Sequence, residues 1–248
     1  MAEVHCVDCP LRRLPLFMSN SAQEIALVQS FKQREIRFNA GALVIQEGQT
    51  DASLFTLLEG WAFRFKTLSD GRRQILNFLL PGDFIGVQQK MADVAAHGVM
   101  ALTDTVLCVF QRAALWELHR QSPTLGFNIT WLTASEESLV DEKLLSVGRR
   151  TAEERIAALL VQLFHQAAAR QTAPVADGVA FPLTQQEIAD ALGLSLVHTN
   201  KTLRKLERRG LHRIENGCLY LHDEVALKHA ADMYGPGGVG GPSNRPLI

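Results

Sequence analysis

Two sets of residues in this 248-residue chain have types and spacings that do chemistry. The first is its four cysteines. Cys6 and Cys9 form a C-x2-C pair just before PLRRLPLF, while Cys108 and Cys218 stand alone. Thiolates serve as redox groups and metal ligands, and a buried thiol is simply a small apolar side chain. The second set lies in TQQEIADALGLSLVHTNKTLRKLERRG, from Thr184 to Gly210. Between Thr184 and Arg213 there are six Lys or Arg and three Asp or Glu, a local charge of +3 in a chain whose formal charge is −1. Positive charge gathered on one short stretch is what meets a phosphate backbone.

That stretch predicts two short helices. Thr184 and Glu187 have capping-box spacing and open the first, to which Ile188 and Leu192 give an apolar face. Gly193 suits a left-handed turn, and Ser195 caps the second helix. Thr199, Leu203 and Leu206 recur at helical spacing and face inward. Leu196, Val197, Asn200, Lys201 and Arg204 are left outward. The expected DNA contacts are Thr184, Gln185, Gln186, Ser195, Leu196, Val197, His198, Asn200, Lys201 and Arg204. Lys201 lies in the first two turns and is expected to read a base, with Arg208 or Arg209 anchoring to phosphate. LHRIENGCLYLH follows, a hairpin around Asn216-Gly217 that supplies a wing. A merely solvated basic face needs no cap, glycine turn, second cap and wing in that order. The set predicts a winged helix-turn-helix.

Other elements must carry this reader. Residues 31 to 86 are punctuated by Gly41, Gly48, Gly60, Gly71, Gly82 and Gly86, a rhythm of short strands and turns. Trp61, Phe63 and Phe65 alternate with Ala62, Arg64 and Lys66 as in a half-buried strand. In SDGR, Asp70-Gly71 is expected to supply positive φ. With PGD at 81 to 83 and TDTVLCVF ending near Phe110, these strands make a small β-roll. From Pro123 to Ser146, Leu125, Ile129, Leu132, Glu136, Leu139 and Lys143 step by four and three. That heptad seam predicts a helix of about 36 Å, either packed on its own roll or paired with a second copy, with Leu125, Ile129, Leu132 and Leu139 as dimerisation residues. Thr151 and Glu154 then cap a further helix, whose apolar face is Ile156, Leu159, Leu160, Leu163 and Phe164. RQTAPVADG breaks the chain between Arg170 and Gly178, and GPGGVGGPSNRP near the end is expected to be disordered.

The expected fold class is therefore α+β. Residues 1–19 form a cysteine-containing segment, 20–120 a β-roll, and 121–148 a dimerisation helix. Residues 149–228 form a winged helix-turn-helix, and 229–248 a largely disordered tail. No stretch has signal-peptide character and no run of 18 apolar residues occurs, so a cytoplasmic protein with no membrane partner is expected. An enzyme is not expected. A cupin-type centre needs clustered histidines on the strands, and His97 is the only one between residues 31 and 110.

LLEGWAFRF, PGDFIG, GRRTAEERIA and TQQEIADALGLSLVHTNKTLRKLERRGL together resemble the family of the catabolite activator and fumarate–nitrate regulators, over roughly residues 20 to 225. The resemblance implies a homodimeric bacterial transcription factor whose β-roll, residues 20–120, is a cyclic-nucleotide-binding-like sensor, and which reads a palindrome in double-stranded DNA and works with RNA polymerase. It also marks departures. The family's recognition helix usually shows Arg-Glu or Val-Glu after the capping serine and an arginine four positions later. Here Leu196, Val197 and Lys201 stand there, so a different palindrome is expected, with Val197 suited to a thymine methyl. Members that bind cyclic AMP carry a glutamate after GDFIG and an Arg-Ser pair about ten residues on. Here those places hold Val87, His97 and Gly98, so cyclic AMP is not expected, nor a cyclic-nucleotide-sensing regulatory subunit. Oxygen-sensing members hold a [4Fe–4S] cluster on three N-terminal cysteines and one in the roll. Cys6, Cys9 and Cys108 resemble three of those ligands, and Pro15 stands where the next is due. No resident cofactor is the expectation. An oxygen- or redox-responsive regulator using Cys6, Cys9 and Cys108, with His5, Asp8 or a non-protein group as fourth ligand, is the alternative.

Overall fold

The computed structural model describes residues 3–50, 53–87, 94–171, 178–233 and 245–248. The chain divides into two compact units, one made of residues 1–66, 77–138 and 243–248, the other of residues 67–76 and 139–242. The break expected between Arg170 and Gly178 falls mostly on residues 172–177, outside the described residues.

The first unit is a β-roll flanked by helices. Helix α1 (Ala22–Phe31) is followed by β1 (Lys32–Phe38), β2 (Leu43–Ile45), β3 (Leu54–Glu59), β4 (Ala62–Thr67), β5 (Arg73–Leu79), β6 (Phe84–Ile85), β7 (Gly98–Ala101) and β8 (Thr105–Phe110). The strands form two sheets, in the orders β1-β8-β3-β6 and β2-β7-β4-β5. Every residue of β8 is buried because both of its faces are covered. Leu107 and Val109 join Ile45, Phe55, Leu57, Leu79 and Val99 in one core. Val106, Cys108 and Phe110 join a second core with Val28, Leu118 and Leu125, contributed by α1, by α2 (Ala114–Gln121) and by the start of α3 (Pro123–Arg149).

Three expectations need correcting here. In β4 the alternation is incomplete, because Ala62 and Arg64 are buried as well as Phe63. Arg64 is held under the surface by an ion pair with Glu136 of α3. In the turn before β5, only Gly71 has positive φ. Asp70 acts differently, its carboxylate accepting from the Arg72 N–H at 3.0 Å. The third correction concerns the seam of α3. Leu125, Ile129 and Leu132 are buried in the core of their own unit, and Leu139 is half-buried. Lys143 donates from Nζ to the Leu76 carbonyl at 2.6 Å. Leu125, Ile129 and Leu132 thus follow the first of the two expected arrangements, a helix packed on its own roll, while Leu139 keeps part of its surface open. The apolar residues that α3 leaves exposed are Phe127, Val140, Leu144, Leu145 and Val147.

The second unit is built on α4 (Ala152–Ala168), opened by the expected capping box of Thr151 and Glu154. Ile156, Leu159, Leu160 and Leu163 are buried as expected, and Phe164 only half so. Against α4 lie α5 (Gln185–Leu192), α6 (Leu196–Arg208), α7 (Glu224–Ala230) and a three-stranded sheet. That sheet runs β10-β11-β9, from β9 (Gly178–Ala180), β10 (His212–Glu215) and β11 (Cys218–Leu221). Asn216 and Gly217, at φ 52° and 71°, turn β10 into β11. Both central residues have positive φ, as in the type I′ turn that Asn-Gly favours.

The expectation of a largely disordered 229–248 needs correction at its ends. α7 runs to Ala230, and Arg245–Ile248 are buried in the first unit. Residues 234–244 lie outside the described residues.

Candidate nucleic-acid interface

The reader is assembled by local rules. The Thr184 hydroxyl oxygen accepts from the Glu187 N–H at 3.3 Å, and the Glu187 carboxylate accepts from the Thr184 N–H at 2.6 Å. This satisfies two of the open donors at the start of α5. α5 ends where Gly193 turns left-handed at φ 63°. Ser195 then accepts from the His198 N–H at 3.3 Å and starts α6. Thr199, Thr202, Leu203 and Leu206 face the core. Leu196, Val197, His198, Lys201 and Arg204 are exposed, with Val197 at 78 %. A valine held that open on a helix otherwise bearing cations is suited to apolar contact in a groove. Thr184, Gln185 and Gln186 are exposed at the start of α5.

Asn200 differs from its expected outward pose. It is half-buried, and its amide oxygen is enclosed without a hydrogen-bond partner. The later bases also divide. Glu153 of α4 pairs with both Lys205 and Arg209. Those cations hold its carboxyl below the usual range. Arg209 is therefore engaged as a brace between α4 and the end of α6. Arg213 pairs with Glu215 at 3.3 Å and lies over the Tyr220 ring. Lys201 and Arg204 remain as the exposed cations of the outward face near the start of α6, with Arg208 further along.

Sequence reasoning missed one support. Residues 67–76 belong to the same unit as the reader. There Arg73 pairs with Asp190 of α5 at 2.8 Å, and Gln74 donates to the Ala191 carbonyl at 3.1 Å. Contacts across more than a hundred residues leave no periodic signal in a sequence.

The comparisons with known proteins agree with this architecture. Residues 35–122 match the cyclic nucleotide-binding domain model, and residues 154–230 match the Crp-like helix-turn-helix domain model. The nitrogen fixation regulation protein FixK of Bradyrhizobium diazoefficiens is 33% identical over 227 residues, covering 91% of this chain and 93% of its own. The chain belongs to the Crp/Fnr family of transcriptional regulators. The transcriptional activator protein FnrL of Cereibacter sphaeroides is 32% identical over 85% of this chain and 84% of its own. The solved structure of FixK2 from Bradyrhizobium japonicum superposes with a TM-score of 0.70 at 26% identity, covering 79% of this chain and 96% of that one.

In this Crp/Fnr-family chain, the roll positions that the resemblance marks for cyclic AMP hold Val87, His97 and Gly98. Val87 is half-buried and packs against the outer core. A Cβ at Gly98 would come within 2.6 Å of the Phe65 ring, so that ring closely covers the strand. His97 is pushed down to about 4 by burial and by the neighbouring Arg64 and Lys66 cations. A neutral imidazole offers no charge to a cyclic phosphate. Arg64, the nearby guanidinium, is already paired with Glu136.

The family's cluster-binding pattern does not fit the thiols either. Cys6 is buried in a short 3-10 turn, Cys9 is half-buried, and Cys108 is buried in β8. Burial pushes the Cys6 thiol up and the Cys108 thiol up to about 12. Lys32, paired with Glu35 at 2.7 Å, also donates to the Val4 carbonyl and ties down the N-terminal segment beside these thiols. Among the described residues, no three His, Cys, Asp or Glu side chains converge as metal ligands. His5 and Asp8 are exposed, and Pro15 offers no donor. Cys218 is half-buried in the wing.

Proposed function

We propose that this Crp/Fnr-family regulator is a homodimer that reads a palindromic operator with the outward face of α6. The observation that carries this reading is that face itself: Val197, His198, Lys201 and Arg204 are exposed together, behind a capped N-terminus and a left-handed glycine turn. An amino group on the early turns of such a helix suits guanine O6 and N7, and a valine suits a thymine methyl. Thr184, Gln185 and Gln186 are placed at the start of α5, where N–H groups and short polar side chains serve phosphate. The partner-facing surface is assigned to Phe127, Val140, Leu144 and Val147 of α3, displaced from the seam that packs into the chain's own core. RNA polymerase is the expected protein partner and the cytoplasm the expected compartment. No described helix is long and apolar enough to cross a membrane.

The signal is proposed to be something other than cyclic AMP, given the lost anion fork and the neutral His97. An enzymatic activity is not proposed.

Footprinting tests the reading. A homodimer reading a palindrome protects two half-sites related by a two-fold axis, their centres about 34 Å apart along the duplex. Protection of a single half-site by one chain would overturn it.

A further inference from the structure

The segment Arg245–Ile248 is seated on the first unit in the manner of a bound peptide. Its backbone pairs with residues 16–18: Arg245 N–H donates to the Leu16 carbonyl, and Met18 N–H donates to the Arg245 carbonyl, each at 2.8 Å. This forms a parallel bridge between Phe17 and Arg245. The Arg245 guanidinium pairs with Asp83 at 2.9 Å, and both side chains are about nine-tenths covered. Asp83 is itself fixed, since its other oxygen accepts from the Leu80 N–H at 2.9 Å. The Thr56 hydroxyl donates to the Ile248 carbonyl at 2.7 Å. Leu247 and Ile248 enter the same core as Val28, Leu54, Phe110 and Leu118, and Ile248 lines a small apolar cavity there.

Each part of that seat has the chemistry of peptide recognition: one carboxylate for a base, backbone pairing, a hydroxyl, and an apolar slot. Removing one partner of a covered ion pair leaves the other charge uncompensated, so the arginine sets the register. Before it come residues 234–244, YGPGGVGGPSN, which lie outside the described residues and join the segment covalently to the rest of the chain. We propose that the face of the roll beside Asp83 and Thr56 is a peptide-binding site for a basic residue followed by proline and two branched aliphatics. Its resident ligand is the chain's own Arg245–Ile248, held as a detachable strap. A covalent link of a few residues sets an effective concentration on the order of millimolar, so the same peptide supplied freely should bind with a dissociation constant below about 1 mM.

Two measurements on the whole chain decide this. In the first, a chain ending at Asn244 that still unfolds cooperatively is titrated calorimetrically with a synthetic peptide of residues 243–248. Saturable binding of one peptide per chain, absent in the native chain whose site is filled, is expected. No binding at several millimolar overturns the proposal. The second is hydrogen exchange at the Met18 amide in the full chain carrying Arg245→Asp or Arg245→Lys. The aspartate should raise the exchange rate at least tenfold and the lysine should largely restore protection. Equal protection in both variants also overturns it.

Discussion

Leu144→Ala should weaken the dimer without weakening the fold. Leu144 is 71 % exposed within one chain, so most of its apolar surface is free to be covered by a partner. Complete burial of a leucine contributes about 1.5–3 kcal/mol, and truncation to alanine at this exposure removes about 1–2 kcal/mol per protomer. A two-fold interface carries the residue twice, so the loss is about 2–4 kcal/mol, which raises the dimer dissociation constant roughly 30-fold to 1,000-fold. Sedimentation equilibrium over a concentration series reads this directly. Leu132→Ala is the matched control. Leu132 is buried in its own unit, so its truncation leaves a cavity costing about 2–5 kcal/mol of folding stability while the dimer constant stays put. A Leu144→Ala chain with the native dimer constant, beside a folded but monomeric Leu132→Ala chain, would refute the reasoning and return the interface to the original seam.

Three further outcomes are expected. His212 is buried, and desolvation, with a smaller contribution from His222, pushes it down to about 4. A histidine whose folded pKa is depressed leaves stability unaffected above about 6.5, where neither state is charged. Stability then falls from about pH 6.5 to 4 as only the unfolded chain takes up the proton, by an amount on the order of 3 kcal/mol. Urea melts at pH 7 and pH 5 should show a smaller pH dependence in His212→Asn than in the native chain; an equal dependence would refute it. Cys108, with its thiol up near 12, should react with a disulfide reagent far more slowly in the folded chain than in urea, and equal rates would contradict its burial. Titration calorimetry with millimolar cyclic AMP should show no saturable binding, and binding coupled to a gain in DNA affinity would overturn the reading of Val87, His97 and Gly98.

Local rules made much of this protein legible. The two capping boxes, the left-handed Gly193, the Ser195 cap and the Asn216-Gly217 turn each depend on residues within four positions of one another, so spacing alone specified them. The strand rhythm of the roll was readable for the same reason. The outward face of α6 followed from its period, except at Asn200, whose amide oxygen turns in. What periodicity could not supply was the identity of the surface an apolar stripe meets. The seam of α3 was real, and of its two expected arrangements Leu125, Ile129 and Leu132 take the one packed into the core of their own unit. Glu136 and Lys143, which read as interruptions of a coiled coil, are partners of Arg64 and the Leu76 carbonyl. The seat of Arg245–Ile248 was invisible for a similar reason: a glycine-rich composition reads as disorder, and the groove that receives its last residues is built some 160 to 230 residues earlier in the chain.

The central claim is that α6 reads bases through Lys201 within a symmetric dimer. Selection of binding sites from random duplexes, run in parallel with the native chain, Lys201→Ala and Lys205→Ala, tests it most directly. The native chain should enrich an inverted repeat with half-sites one helical turn apart. Lys201→Ala should lose about 1–3 kcal/mol and relax preference at one base pair in each half-site. Lys205→Ala, whose cation is taken up by Glu153, should enrich the native sequence unchanged. An enriched site without two-fold symmetry, or the same sequence selected by Lys201→Ala as by the native chain, would contradict the account.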